Sequence, residues 1–309
     1  LPYLDELVFQ IGLDPNVAFL SLQRGEVDLL GDGIPSARYT EVLADPVLSE
    51  LVNAGEQLQT GYVTINVTIE PFDDVRVRQA LNHAINKDRI VRIINNRAVP
   101  AVQYLPPLDE SHDPNYTGYP YDPERARELL TEAGYPDGFD TVLYAYNVAP
   151  NDRIAQAIQA DLAEIGVNVE LRTQAQSTVI EAGGAGEAPL IWSGGMAWIA
   201  DYPDPNNFYW PILACASNIP GGWNWSKYCN EDIEAKAAHA DTLAGAGQHD
   251  ERVALWREIF TEVQADAPWI PIFHELQVNM HSAGVTGPEG IFTDPMHIPV
   301  HYEYMQRTE

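Results

Sequence analysis

Tyr62-Val63-Thr64-Ile65-Asn66-Val67, followed closely by Pro71-Phe72-Asp73-Asp74-Val75-Arg76-Val77-Arg78-Gln79-Ala80-Leu81, is the stretch on which the fold turns. The first run is β-branched and predicts a strand. In the second, Asp74 is placed to cap a helix from 75 to about 95, with Val77, Ala80, Leu81, Ala84 and Ile85 on one face. Toward the N-terminus, residues 6–11 predict a strand, Asp14-Pro15 a turn, residues 16–24 a helix stopped by Gly25, and residues 27–30 a second strand. That is a β-α-β unit, and a further helix is expected over 36–44.

Toward the C-terminus, Pro and Gly crowd residues 99–123 and predict a long surface excursion. It ends at a helix start, with Asp122 as cap, Pro123 in the first turn, Ala126, Leu129, Leu130 and Ala133 as the apolar stripe, and Gly134 as stop. Strands at 141–146, 167–172 and 189–193 then alternate with helices at 152–165 and 177–182. Residues 194–228 carry Trp198, Trp210, Trp223 and Trp225 among many Pro, Gly and Asn and read as loop. Helices at 230–244 and 250–265, an extended run at 269–280 and an irregular tail from 284 complete the chain. Strands alternating with helices predict an α/β sheet.

A length of 309 residues suggests two domains at roughly 150 residues each. The 17 basic and 45 acidic residues give a net charge of −28, which argues against nucleic acid or an anionic membrane as a partner. Hydrophobic residues at 45% exclude an acidic disordered tail. Lys87, Lys227 and Lys236 are the only lysines. Adaptation to high salt and a GC-rich genome both account for that scarcity. No apolar run approaches a membrane span, and a chain opening on Leu1 is expected to have lost its start.

Catalytic signatures fail on spacing. The three lysines follow Asn86, Ser226 and Ala235 rather than the Gly of a P-loop. His274-Glu275 and His281 lack the four-residue spacing of a zinc helix, and Trp192-Ser193-Gly194-Gly195 lacks the leading Gly of a nucleophile elbow. Asp113, Asn115, Thr117, Gly118 and Glu124 mimic a calcium loop, but Pro114, Pro120 and Pro123 lie within it. Cys215 and Cys229 have no His or Cys to complete a metal set, so a disulfide and an oxidising compartment are expected. Closing such a loop contributes ~3 kcal/mol by chain entropy and holds the intervening Trp-bearing segment in shape. In residues 198–208, Asp201 beside Trp198 and Tyr202 provides charge for an amine and ring faces for apolar or sugar surface. Asp204 and Asn207 read there as turn-capping residues.

The blocks 62–66 and 71–85 resemble the signature of the peptide/nickel-type (family 5) solute-binding proteins of ABC transporters. So do Tyr121-Asp122-Pro123-Glu124-Arg125-Ala126 with Ala133-Gly134-Tyr135, Ile158-Gln159-Ala160-Asp161-Leu162, residues 198–208, and Ala267-Pro268-Trp269-Ile270-Pro271, all in the family's order. The resemblance implies a type II periplasmic-binding-protein-like α/β fold of two lobes, one of them incomplete here. Residues 1–66 would be the C-terminal share of the first lobe, 67–283 the second lobe with its ligand-facing loops, and 284–309 the return into the first. Either the chain is a fragment or its other part is a separate chain, and anchoring to the membrane is expected through that missing N-terminus.

It further implies a non-catalytic extracytoplasmic receptor, without cofactor or metal, that captures an oligopeptide or oligosaccharide and delivers it to ABC permease subunits. Asp201 matches the residue that pairs with a peptide's ammonium, and Trp198 an aromatic of the same pocket. Dipeptide-selective members carry an Arg near the strand that here reads Tyr144-Ala145-Tyr146-Asn147, so longer peptides or sugars stacked on Tyr146, Trp223 and Trp225 are expected. Tyr202, Asn224, Asn147 and Asn66 complete the expected ligand-facing set. Nickel is disfavoured because no His lies in the matched cleft segments. A carbohydrate-active enzyme and a surface assembly protein are the readings from other classes. If the acidity is a high-salt adaptation, the melting temperature rises between low salt and about 2 M KCl as self-repulsion is screened. A flat or falling melting temperature leaves codon bias.

Overall fold

The computed structural model describes residues 2–193, 198–287, 291, 293–296 and 300–308, with the backbone alone at 245 and 246. In chain order it begins with helices α1 (Pro15–Gln23) and α2 (Ser36–Ala44), strands β1 (Val52–Glu56) and β2 (Gln59–Ile65), helices α3 (Val75–Ala84) and α4 (Lys87–Ile93), and strand β3 (Ala98–Pro100). Helix α5 (Pro123–Glu132), strand β4 (Phe139–Tyr146), helix α6 (Asn151–Glu164), strand β5 (Val167–Gln174), helix α7 (Gln176–Ala185) and strands β6 (Leu190–Trp192) and β7 (Trp198–Ile199) follow. Helices α8 (Glu231–Ala246) and α9 (His249–Asp266) and strands β8 (Trp269–Met280), β9 (Val285–Thr286) and β10 (Gln306–Arg307) complete it.

The chain forms two compact units, one of Leu1–Gln57, Ile94–Val99 and Glu275–Glu309, the other of Leu58–Ile93 and Pro100–His274. Strand β2, expected with the first lobe, lies in the second unit. In the first unit, β1 runs antiparallel to residues 276–280 of β8. Phe19, Leu22, Leu30, Ile34 and Val42 close over Val278 and Met280. The strand expected at 6–11 does not form: among the described residues no backbone hydrogen bond reaches it, and Val8 and Ile11 are exposed. An extended segment becomes a strand only when a ladder satisfies its amides. Residues 27–30 likewise make a single bridge, Leu29 to His281, because the chain turns at residues 31 and 32 before a ladder can extend.

In the second unit the strand order is β8, β2, β6, β4, β5. Strand β2 is antiparallel to both neighbours, whereas β4 is parallel to β5 and to β6. Every residue of β2 is buried. Helix α6 packs on β4 and β5, and the alternation of β4 sends Tyr144 and Tyr146 to the side where Val179 and Ala182 of α7 lie. Gly138, at φ +76°, lets β4 start against the backbone of Gly166 just ahead of β5; a Cβ there would stand 1.9 Å from the Gly166 oxygen.

The helix starts follow the caps. The Asp74 carboxylate accepts from Arg76 N at 2.8 Å and that of Asp122 from Arg125 N at 2.9 Å. The single helix expected over 75–95 is broken, however, at Ile85, whose backbone is extended (ψ 122°). Asn86 caps the second piece by accepting from Arg89 N at 2.9 Å, while its own N donates to Asp161 Oδ2 at 3.0 Å. That buried carboxylate also takes Arg89 Nη2 at 2.6 Å, so a tertiary ion pair overrides a continuous apolar stripe.

Lys87 opens α4 as a buried residue, with Nζ donating to Ala101 O at 2.8 Å. Burial lowers its pKa to about 7. Burial also lowers that of His274, to about 3, where Nδ1 sits 3.1 Å from Thr60 Oγ1. Asp109 is raised by burial to about 7, so it and His274 pull stability in opposite directions below neutrality. Between pH 7 and 9.5 the unfolded chain holds a proton on residue 87 that the folded protein does not, so stability rises with pH there, by at most about 1.4 kcal/mol per unit. Urea midpoints across this range should climb in the wild type and lose most of the slope in Lys87→Met. Equal slopes would place the charge on Lys87 in the fold.

Candidate ligand-binding site

Because β4, β5 and β6 run parallel, their carboxyl ends line up at Tyr146-Asn147, Gln174 and Trp192-Ser193. In open α/β sheets that edge is where ligands bind. The start of α6 stands at the same edge, and its Asn151 Oδ1 accepts from the buried Trp192 indole N–H at 3.0 Å. Strand β7 continues along β2 beyond β6, pairing Trp198 with Thr60 where β6 paired Trp192 with Val63. The loop after β7 is thereby delivered beside the carboxyl ends.

That loop is built around Asn207, which is 3% exposed. Its Oδ1 accepts from Trp198 Nε1 and from the Asp201 backbone N, each at 3.0 Å. Its Nδ2 donates to Asp201 Oδ2 at 3.3 Å. One side chain therefore fixes a half-buried indole and an exposed carboxylate together, with Tyr202 exposed next to them. Asp204 accepts from Asn206 N at 2.9 Å and caps the tight turn Pro205–Phe208 that holds Asn207 in place. The capping role expected of Asp204 is thus observed, whereas Asn207 organises the pair that the sequence singled out.

The other expected residues divide by burial. Trp225 is a core residue, packed with Tyr146, Val179, Ala182 and Ile191. Gly183 lies under its ring, where a Cβ would come within 2.7 Å. Asn224 is spent internally, since Nδ2 donates to Ala214 O and Tyr228 O at 3.1 and 2.8 Å and Oδ1 accepts from Ser226 Oγ at 2.9 Å. Asn66 is spent likewise: it donates to Gly186 O at 3.0 Å and accepts from both Thr68 donors. Tyr146 is buried, its hydroxyl finds no partner among the described residues, and burial raises its pKa. Asn147 is exposed, its N donating to Gln174 O at 3.0 Å. Trp223 is 41% exposed and lies 5.6 Å from the Trp225 ring, inside the loop closed by the Cys215–Cys229 disulfide. Among the described residues no group of three or more His, Cys, Asp or Glu is placed to hold a metal. No described helix is long and apolar enough to cross a membrane.

A parallel-strand edge, a carboxylate and aromatic faces make this loop the candidate ligand site of the second unit. The profile of bacterial extracellular solute-binding proteins, family 5 (middle), matches residues 1–219, and the chain belongs to that family. It is 36% identical over 281 residues to heme-binding protein A of Haemophilus influenzae, covering 88% of this chain and 49% of that protein. With the dipeptide-binding protein of Escherichia coli the identity is 33% over 279 residues, covering 88% and 50%. Among solved structures, the periplasmic binding protein DppA of Helicobacter pylori in complex with the peptide STSA superposes with a TM-score of 0.83 at 25% identity, covering 96% of this chain and 56% of that one. The chain spans about half the length of the curated relatives it matches.

Asn207→Ala removes the acceptor for one indole and one backbone donor and should lower stability by about 1–3 kcal/mol in urea unfolding. Trp223→Ala, at an exposed ring, should stay within about 0.5 kcal/mol of wild type. Equal effects would mean that Asn207 does not hold the loop.

Proposed function

We propose that this protein serves as the extracytoplasmic binding component of an ABC importer, without catalytic activity of its own, and that it takes peptides by their N-terminal ammonium. The observation that carries the reading is the Asn207-held pairing of Asp201 with Trp198 at the carboxyl-end edge. An ammonium donates three hydrogen bonds and suits a carboxylate, and the indole face favours a cation and excludes water from its flank. The matched proteins named for dipeptides, and the solved complexes with the peptides STSA and Met-Leu, support peptide as the ligand class. The disulfide fits an oxidising compartment outside the cytoplasm. No Arg stands in residues 144–147, which favours peptides longer than two residues, held through their backbone.

Calorimetry on the full-length protein with free and N-acetylated peptides tests this directly. Hydrogen bonds to charged groups contribute about 1.5–3 kcal/mol, so Asp201→Asn should weaken binding about tenfold to a hundredfold. Acetylation should cost a similar factor in wild type and little more in the variant, since both remove one interaction. Binding indifferent to both changes overturns the ammonium anchor. Oligosaccharide binding that survives Asp201→Asn and is lost in Trp223→Ala would replace peptide by sugar, with the exposed Trp223 ring as the platform.

A further inference from the structure

Arg252, in the first turn of α9, has 4% of its surface exposed, and its guanidinium is surrounded by acid. Nη2 lies 2.7 Å from Asp204 Oδ1 and 3.6 Å from Asp241 Oδ1 of α8, and Nη1 lies 3.8 Å from Glu110 Oε1. Two of these carboxylates grip the same residue of the recognition loop. Asp204 takes Asn206 N, and Asp241 takes Asn206 Nδ2 at 3.1 Å; Asp241 also takes Trp210 Nε1 at 2.7 Å. The next residue is Asn207, which holds Trp198 and Asp201. A buried ion cluster of this kind is weak evidence for stability, because apolar packing would serve as well. What it does impose is direction at Asp204, where Nη2 donates to Oδ1 along a fixed N–H vector, while Asp241 and Glu110 balance the charge at longer range.

We propose that Arg252 is a positioning residue for the ligand site: by fixing Asp204 and Asp241 it sets the turn Pro205–Phe208, and through Asn207 it aims the Asp201 carboxylate and the Trp198 ring. This rests on the ammonium-anchor reading above. It locates control of that anchor on the helices α8 and α9, outside the loop that meets the ligand. The cluster joins three segments distant in sequence, so the recognition loop is registered against the helical layer as well as against β2.

The test is the ratio of dissociation constants for N-acetylated and free peptide, measured on the full-length protein together with melting temperatures. Asp204→Asn can still cap Asn206 but loses the charge, so it isolates the ion pair from the turn. The ratio should fall at least about fivefold in Asp204→Asn and in Arg252→Met, no further in the double variant, and less in Arg252→Lys, which keeps the charge without the fork. Lower melting temperatures with the wild-type ratio in both Asp204→Asn and Arg252→Met would overturn the proposal, leaving a structural role. If Arg252→Met does not fold, Asp204→Asn alone decides. A wild-type ratio near one would instead sink the ammonium anchor itself, a result separate from the failure of the variants to change a large ratio.

Discussion

The second unit depends on one strand that never meets water. Strand β2 is buried at every position, with β8 on one edge and β6 and then β7 on the other. Burying a strand on both faces and both edges removes solvent as a partner for its polar groups, so each must be satisfied within the protein. Thr60 meets this by donating to Tyr104 O, and the Asn66 side chain just beyond the strand by bridging Gly186 and Thr68. The register follows from the same constraint. With β6 and β7 both fixed to β2, the loop that follows β7 starts from the end of β2 toward which β6 runs.

Under that constraint the polar residues near the site separate into two kinds. Asn66, Asn224 and Asn207 are buried amides whose donors and acceptors are committed to protein partners, and they shape the backbone that carries the site. Tyr202, Asp201 and Trp223 stand at the surface, where a ligand can compete with water for them. An amide in sequence fits either description, because the side chain is the same in both roles and only burial separates them. The sequence alone therefore places Asn66 and Asn224 at the ligand and reads Asn207 as a turn residue, whereas burial commits all three to the scaffold.

Local signals carried well from sequence to structure. Asp74 and Asp122 cap the helices they precede as the sequence predicts, since capping is decided within three residues; Asp14 and Asn230, not singled out as caps, do the same. The extended run at 269–280 forms a strand over its full length, and Cys215 meets Cys229. The failures lie where a distant partner decides. The break at Ile85 is set by Asp161, more than seventy positions away, and residues 6–11 have the composition of a strand but no ladder. Trp225 carries the same ring as Trp223, yet one is core and the other surface, a distinction made by Gly183 of α7. The family resemblance carries information of another kind, because its blocks record tertiary choices that periodicity cannot express.

Asn207 holds position 201 by the backbone amide as well as by the carboxylate. Any residue except proline offers that amide, so the main-chain course of the loop tolerates a change of side chain at 201. Backbone course and side-chain chemistry at 201 are thus carried by different atoms of one residue. Under the proposed reading, an acid there could be exchanged for a neutral or basic group, changing the ligands accepted without redrawing the backbone of the loop.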